Sequence, residues 1–396
     1  MTSLRPLAIA PGPAAVESLP QLRLALDGEL AILPYAVGSP PPPVPAGAVP
    51  DDGTALVVGT SGSTGEPKLA MLPASALAAS AAATHERLGG PGRWLLAMPP
   101  HHIAGVQVLL RCLAAGTDPA FVDLSTGFTS AAFTAAATAM PRDDARRYTS
   151  VVPTQLVRLL ADPEAARALS GFDAVLVGGA ATSPALRRRA LALGVRLVAT
   201  YGMSETCGGC VYDGVPLSPS AIRADSEGRL HLGGATLATG YLGRPQLTHE
   251  TFSRDEQGLA WFRTDDTGHQ DESGRWHVDG RLDDLIGTGG LKVAPRLVEE
   301  ALTALPDIEE AVVVGTPDDE WGQVVSAAVT RRRGAGERAT PPTVEALRDA
   351  LRGILPDHAL PRRVVVVDAL PLRGPGKPDR AAVRDLFAEG HDTMGA

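Results

Sequence analysis

Lysine is nearly missing from this chain of 396 residues. Of 36 basic residues only Lys68, Lys292 and Lys377 are lysine, and each stands in a glycine-flanked segment: GTSGSTGEPK, GTGGLKVAP and LPLRGPGKPD. Lysine is a compact point charge on a flexible stem, whereas arginine is a planar fork. Lysines set among glycines suit close approach to phosphate oxygens. Cysteine is scarce as well, with Cys112, Cys207 and Cys210 only. An odd, sparse set excludes a disulfide framework and leads us to expect a reduced, cytoplasmic protein. Cys207-Gly-Gly-Cys210 has the spacing of a redox or half-zinc motif. A zinc site needs a second ligand pair, and none stands at suitable spacing. A redox unit would put its first cysteine at a helix N-terminus after a strand.

Positive charge is in deficit. A net charge of −9 argues against a general binder of nucleic acid or of membrane surfaces. The triplets Arg187-Arg188-Arg189 and Arg331-Arg332-Arg333 are short enough to read as solvated faces. No uncharged apolar run reaches the roughly 18 residues that a membrane-spanning helix needs. The start, MTSLRPLAIAPGP, is broken by prolines before an apolar run develops, so no secretory leader is expected. Nothing excludes a homo-oligomer.

A hydrophobic content of 44% and a length of 396 residues point to a large globular core and two or three domains. Proline (34) and glycine (43) are both abundant, so long loops are expected. Residues 39–53 read as a stiff, extended connector. Beyond it, strands are expected at 54–58, 93–98, 149–152, 174–177 and 195–200. They alternate with helices at 74–88, 105–115, 154–161 and 184–193. This alternation is the pattern of a layered α/β domain with a mainly parallel sheet. Glycine-rich turns follow Val58, Val177 and Thr200, at the carboxyl ends of strands where open α/β sheets bind ligands. After Val211 short strands dominate: 229–232, 261–262 and 276–278. From about Leu282 a small α+β unit is expected, with helices at 297–304 and 344–354 and strands at 311–315, 324–329 and 363–367. The boundaries are therefore set at 1–280, a hinge at 281–284, and 285–396.

GTSGSTGEPK (59–68) packs hydroxyls, glycines and a lysine into ten residues, so backbone N–H groups can converge on phosphate oxygens. It lacks the spacing of a Walker A loop. Six further segments follow it in order: PPHHIAG (99–105), VGGA (177–180), TYGMSET (200–206), FRTDDTG (262–268), GRLDDLIGTGGLKVAP (280–295) and LPLRGPGK (370–377). In this order and over nearly the whole chain they resemble the adenylate-forming ligases, which include acyl-CoA synthetases, aryl-CoA ligases and adenylation domains.

The resemblance implies a large layered N-terminal α/β domain with mainly parallel sheets, a small β-rich subdomain and a mobile α+β C-terminal domain. It also implies ATP, Mg²⁺ and the co-substrate CoA. Thr60, Ser61, Gly62, Ser63, Thr64, Gly65 and Lys68 would cradle phosphates. Gly179, Ala180, Tyr201, Gly202 and Met203 would hold the nucleotide, with Tyr201 stacked on adenine. Ser204 would bond the α-phosphate, and Glu205 would ligate Mg²⁺, a hard cation that suits carboxylate. Asp266 and Arg281 would hold the ribose hydroxyls, and Asp283 would be the hinge residue. Lys377 would reach the α-phosphate and the acyl carboxylate. His102 would wall the acyl pocket, and Gly289, Gly290 and Lys292 would face the CoA tunnel.

The chain departs from the family pattern at Asp265 and Thr267, where glycine and leucine are usual, and at Gly287, where lysine is common. TYGMSETCGGCVYDGVPL, GGATLATGY (233–241) and the compact length resemble the short o-succinylbenzoate–CoA ligases. In that reading Cys207 and Gly208 belong to a tight pocket wall for a planar aromatic acid. Other aryl- or acyl-CoA ligases and stand-alone adenylation enzymes that load a carrier protein are the near alternatives. A non-catalytic nucleotide-binding protein is the distant one, disfavoured because mere binding needs neither Glu205 nor Lys377.

Overall fold

A computed structural model describes residues 3–60, 68–332, 342–373 and 377–388, with only the backbone of Arg373 and Lys377. The helices Ala74–Arg87 and Ile103–Ala115 explain much of the architecture. The first is rich in alanine, and the second carries apolar residues around most of its circumference. A helix apolar on all sides must be buried on all sides. These two lie between sheets, sharing one core with Ile32, Leu56 and Leu72 on one side and Trp94, Tyr148 and Leu176 on the other. Small alanines let the helices sit against each other in that layer.

The first sheet has five strands in the order Leu4–Ile9, Ala31–Ala36, Thr54–Thr60, Lys68–Pro73 and Gly240–Tyr241. Its first three strands are parallel and the remaining pairings antiparallel, so this sheet is mixed rather than mainly parallel. The second sheet has seven strands. Five run parallel, in the spatial order Ala120–Phe121, Gly92–Leu96, Arg146–Val151, Ala174–Val177 and Leu197–Met203. Its far face is covered by Ser130–Ala139, Pro153–Ala161, Pro163–Ser170 and Pro184–Ala192 through Phe133, Leu156, Leu169 and Ala190, with Phe172 from the following loop. A third, antiparallel sheet contains Ser220–Ala224, Arg229–Gly234, Phe252–Arg254, Ala260–Gln270 and Trp276–Arg281.

From residue 286 onward the buried clusters draw on a separate set. Ile286, Val298, Leu302, Val313, Val325 and Leu351 pack together on one face of a sheet built on Ile308–Asp318 and Gly322–Arg331. Val312, Val314, Ala328 and Val383 cover the other face. No helix among the described residues is long and apolar enough to cross a membrane.

Candidate active site

The motif segments converge because the parallel strands all end on one edge. Beyond Leu96 comes the loop to His102, beyond Val177 comes Gly178-Gly179-Ala180, and beyond Met203 comes the short turn Ser204–Thr206. Two glycines are required by close approach. A Cβ on Gly178 would stand 2.3 Å from Thr200 Oγ1, and one on Gly105 would stand 2.2 Å from the carbonyl oxygen of Pro99. Only glycine lets the strand ends and the first turn of Ile103–Ala115 sit this tightly. His102 occupies the N-cap position of that helix, makes no side-chain cap bond there, and lies ring to ring with His101 at 4.3 Å.

Tyr201 and Asp266 come from different sheets. The Tyr201 hydroxyl donates to Asp266 Oδ2 at 2.6 Å. Asp266 faces Arg281 across the register of its sheet, with the guanidinium 3.8 Å from Oδ1. Arg281 in turn clamps Asp283 through two bonds, at 2.7 and 2.8 Å. Burial pushes the Asp266 carboxyl above its usual range, while the Tyr201 bond and the Arg281 charge pull it back down. Burial first, and then the Asp266 charge, hold the Tyr201 phenol well above its ordinary value, so it stays a donor.

Glu205 is buried, and its Oε1 accepts the Tyr241 hydroxyl at 2.9 Å. The same tyrosine ring lies under the Lys68 ammonium, 5.7 Å from Nζ to the centroid. Lys68 opens the strand Lys68–Pro73 and pairs with Thr60, so the two anchors of the glycine-rich segment are held side by side. Ser61, Gly62, Ser63, Thr64 and Gly65 lie outside the described residues. Among the described residues no group of three or more His, Cys, Asp or Glu side chains could hold a metal ion by itself. A lone carboxylate suits Mg²⁺, which keeps waters and arrives on substrate phosphates rather than in a protein cage.

The cysteine pair is not arranged for redox chemistry. Cys207 follows the turn Ser204–Thr206 with a left-handed φ of 54°, and a strand begins at Gly208. All three thiols are buried, and burial pushes those of Cys112 and Cys210 up to about 12. In this turn the Cys207 carbonyl accepts Gln107 Nε2 at 2.7 Å and the Ser80 hydroxyl at 3.1 Å, and the Thr206 hydroxyl donates to the Gly208 carbonyl at 2.7 Å. Beneath it lies Arg111, 3% exposed, stacked 4.8 Å over Trp94 and 3.5 Å from the Tyr212 hydroxyl.

In the small unit, Gly289 and Gly290 form the tip of the hairpin Ile286–Thr288 and Leu291–Val293, with φ of 57° and 80°. A Cβ on Gly289 would meet the Trp321 ring at 2.7 Å. Lys292 is exposed on this hairpin. Lys377 begins the strand Lys377–Pro378, paired with Leu372–Arg373. Among the described residues, polar contacts tie the small unit to the large unit and to the hinge. Arg189 bonds Glu309 at 3.1 Å, Arg296 donates to the Val278 carbonyl, and Arg380 bonds Asp284 at 3.1 Å beside the turn Leu282–Asp284. Sequence reading missed Tyr241 and Arg111. Tyr241 stood inside a recognised segment without a role, and its partner Glu205 lies 36 residues away.

A family model described as AMP-binding enzyme matches residues 12–238, and one described as AMP-binding enzyme C-terminal domain matches residues 297–377. Over 391 residues the chain is 46% identical to a Mycobacterium tuberculosis protein named probable 2-succinylbenzoate–CoA ligase, covering 97% of this chain and 99% of that one. It is 30% identical over 360 residues to the 2-succinylbenzoate–CoA ligase of Geobacillus sp. strain WCH70, covering 85% of this chain and 70% of that one. Among solved structures it resembles the o-succinylbenzoate CoA synthetase (MenE) of Bacillus subtilis in complex with the acyl-adenylate OSB-AMP. That match has a TM-score of 0.69 at 26% identity and covers 84% of this chain and 69% of that one.

Proposed function

The chain belongs to the AMP-binding enzyme family, and from that premise we propose that it is an o-succinylbenzoate–CoA ligase acting through an acyl-adenylate. The observation that carries the substrate assignment is the 46% identity, over nearly the full length of both chains, with a relative named for that acid.

In this reading one carboxylate of the acid attacks the α-phosphorus of ATP, and pyrophosphate leaves. The CoA thiol then attacks the acyl carbonyl, and AMP leaves. Lys68, with Thr60 and the glycine-rich segment between them, holds the phosphates. Tyr201, Gly179, Ala180, Gly202 and Met203 line the base, and Asp266 with Arg281 holds the ribose. Ser204 donates to the α-phosphate. Glu205 would hold Mg²⁺, which when bound offsets phosphate charge. Lys377 offsets the charge that develops as one anion approaches another, the kind of contact worth about 10²–10³ in rate. His102 and the backbone of Cys207 and Gly208 wall the acid. Residues 281–284 are the hinge, with Asp283 at its centre, about which the small unit turns. That turn withdraws Lys377 and brings Gly289, Gly290 and Lys292 to the thiol path. Three buried free thiols suit a cytoplasmic protein.

The test is pyrophosphate release from Mg·ATP with a panel of aromatic and aliphatic acids, with and without CoA. We expect release with o-succinylbenzoate, and its thioester when CoA is present. Release with a different acid alone would overturn the substrate. An acyl-adenylate passed only to a carrier-protein thiol would overturn the acceptor.

A further inference from the structure

Tyr241 touches both Glu205 and Lys68. Its hydroxyl donates to Glu205 Oε1 at 2.9 Å, and its ring lies 5.7 Å from Lys68 Nζ. It is 3% exposed and held on every side. Its strand Gly240–Tyr241 pairs with Lys68–Pro73, placing Tyr241 opposite Ala70. The Ala238 amide donates to the Glu205 carbonyl at 2.8 Å. The Tyr241 amide donates to Thr248 Oγ1 at 2.9 Å, and the edge of Phe252 meets the ring at 5.5 Å. A rigid aromatic therefore links the acid that would meet the cation to the lysine that would meet the phosphates. A hydroxyl bond to a buried carboxylate fixes that carboxylate's rotamer, and an aromatic face holds a cation in place.

We propose that Tyr241 is a positioning residue that orients Glu205 for the divalent cation of the nucleotide and holds Lys68 for its phosphates. This rests on the reading of the site as an ATP site, but not on which acid or thiol is used.

Tyr241→Phe and Tyr241→Leu separate its two roles. Phenylalanine keeps the ring under Lys68 and removes the hydroxyl, whereas leucine removes both. Calorimetric titration of ATP into each protein, with and without Mg²⁺, is the readout. In Tyr241→Phe the gain in ATP affinity conferred by Mg²⁺ should fall about tenfold or more, the size expected for a bond to a charged group. Its affinity for ATP without Mg²⁺ should stay near that of the parent. In Tyr241→Leu both should fall. In pyrophosphate release, half-saturation by Mg²⁺ should rise in parallel in Tyr241→Phe. The proposal is overturned if Tyr241→Phe keeps the full Mg²⁺ gain. It is equally overturned if affinity drops alike with and without Mg²⁺, which is how a purely structural tyrosine would behave. Titration needs neither acid nor CoA, so a wrong substrate assignment leaves this result readable.

Discussion

His85 is a buried histidine whose ring nitrogen Nε2 accepts the Trp94 indole N–H at 3.4 Å. Burial, and then the nearby Arg111 charge, lower its pKa from 6.5 to about 4. Between those two values the unfolded chain binds a proton that the folded chain refuses. This group therefore contributes stability above pH 6.5 that is lost as pH falls toward 4, by about 3 kcal/mol at most. Chemical denaturation across that range should show this slope in the parent and a shallower one in His85→Gln. Equal slopes would contradict the assignment. The thiols give a second prediction. Cys112, Cys207 and Cys210 are all buried, and burial holds each thiol up in its protonated form. A thiol-specific reagent should modify none of them in the folded protein over a time that modifies all three in denaturant. The Cys207→Ser/Cys210→Ser double variant should keep measurable ligase activity, where a redox role would demand complete loss.

At the scale of elements, glycines mark two different constraints on the single helix Ile103–Ala115. Gly105 sits against the Pro99 carbonyl, 2.2 Å from where a Cβ would be, whereas Gly116 closes the helix at φ 65° in open space. Gly105→Ala must push backbone and should cost about 1–3 kcal/mol. Gly116→Ala strains only its own dihedral, at about 1 kcal/mol. Denaturation midpoints should rank them in that order, and the reverse ranking would contradict the packing account. Thr54–Thr60, Ala174–Val177 and Leu197–Met203 were legible because each runs into its own glycine-rich segment, whereas the parallel strands Ala31–Ala36 and Ala120–Phe121 were not expected. The antiparallel Lys68–Pro73 and the edge strand Leu4–Ile9 were not expected as strands. Lys68–Pro73 follows the glycine-rich segment directly, with no periodic signal of its own, and Leu4–Ile9 alternates weakly and carries a proline. Sequence suggests a role wherever that role belongs to a local motif, as proposed for Glu205 and Lys377. The site was opaque where a role depends on a partner distant in sequence. Tyr201 with Asp266, 65 residues apart, was legible only as two separate roles, and Tyr241 with Glu205 not at all.

For the whole molecule, the contacts across the two units bear on the order of events. Arg189 on Pro184–Ala192 bonds Glu309 on Ile308–Asp318 at 3.1 Å, and Arg332 reinforces Glu309 at 3.3 Å. The proposed turn of the small unit about 281–284 would have to break such a bridge. Because the pair is partly solvated it is worth about 0.5–1 kcal/mol. Glu309→Gln should therefore shift the ratio of the two half-reaction rates by about two- to fivefold. Single-turnover measurement of each half-reaction checks this, and a parallel change in both rates would contradict it. The central claim is that a carboxylate oxygen of the acid becomes bonded to the α-phosphorus of ATP. The most direct measurement supplies o-succinylbenzoate labelled with ¹⁸O in the reacting carboxylate, together with Mg·ATP and CoA, and reads the mass of the products. The account predicts one ¹⁸O in AMP, the other in the thioester carbonyl and none in pyrophosphate. Label in inorganic phosphate, or none in AMP, would contradict it.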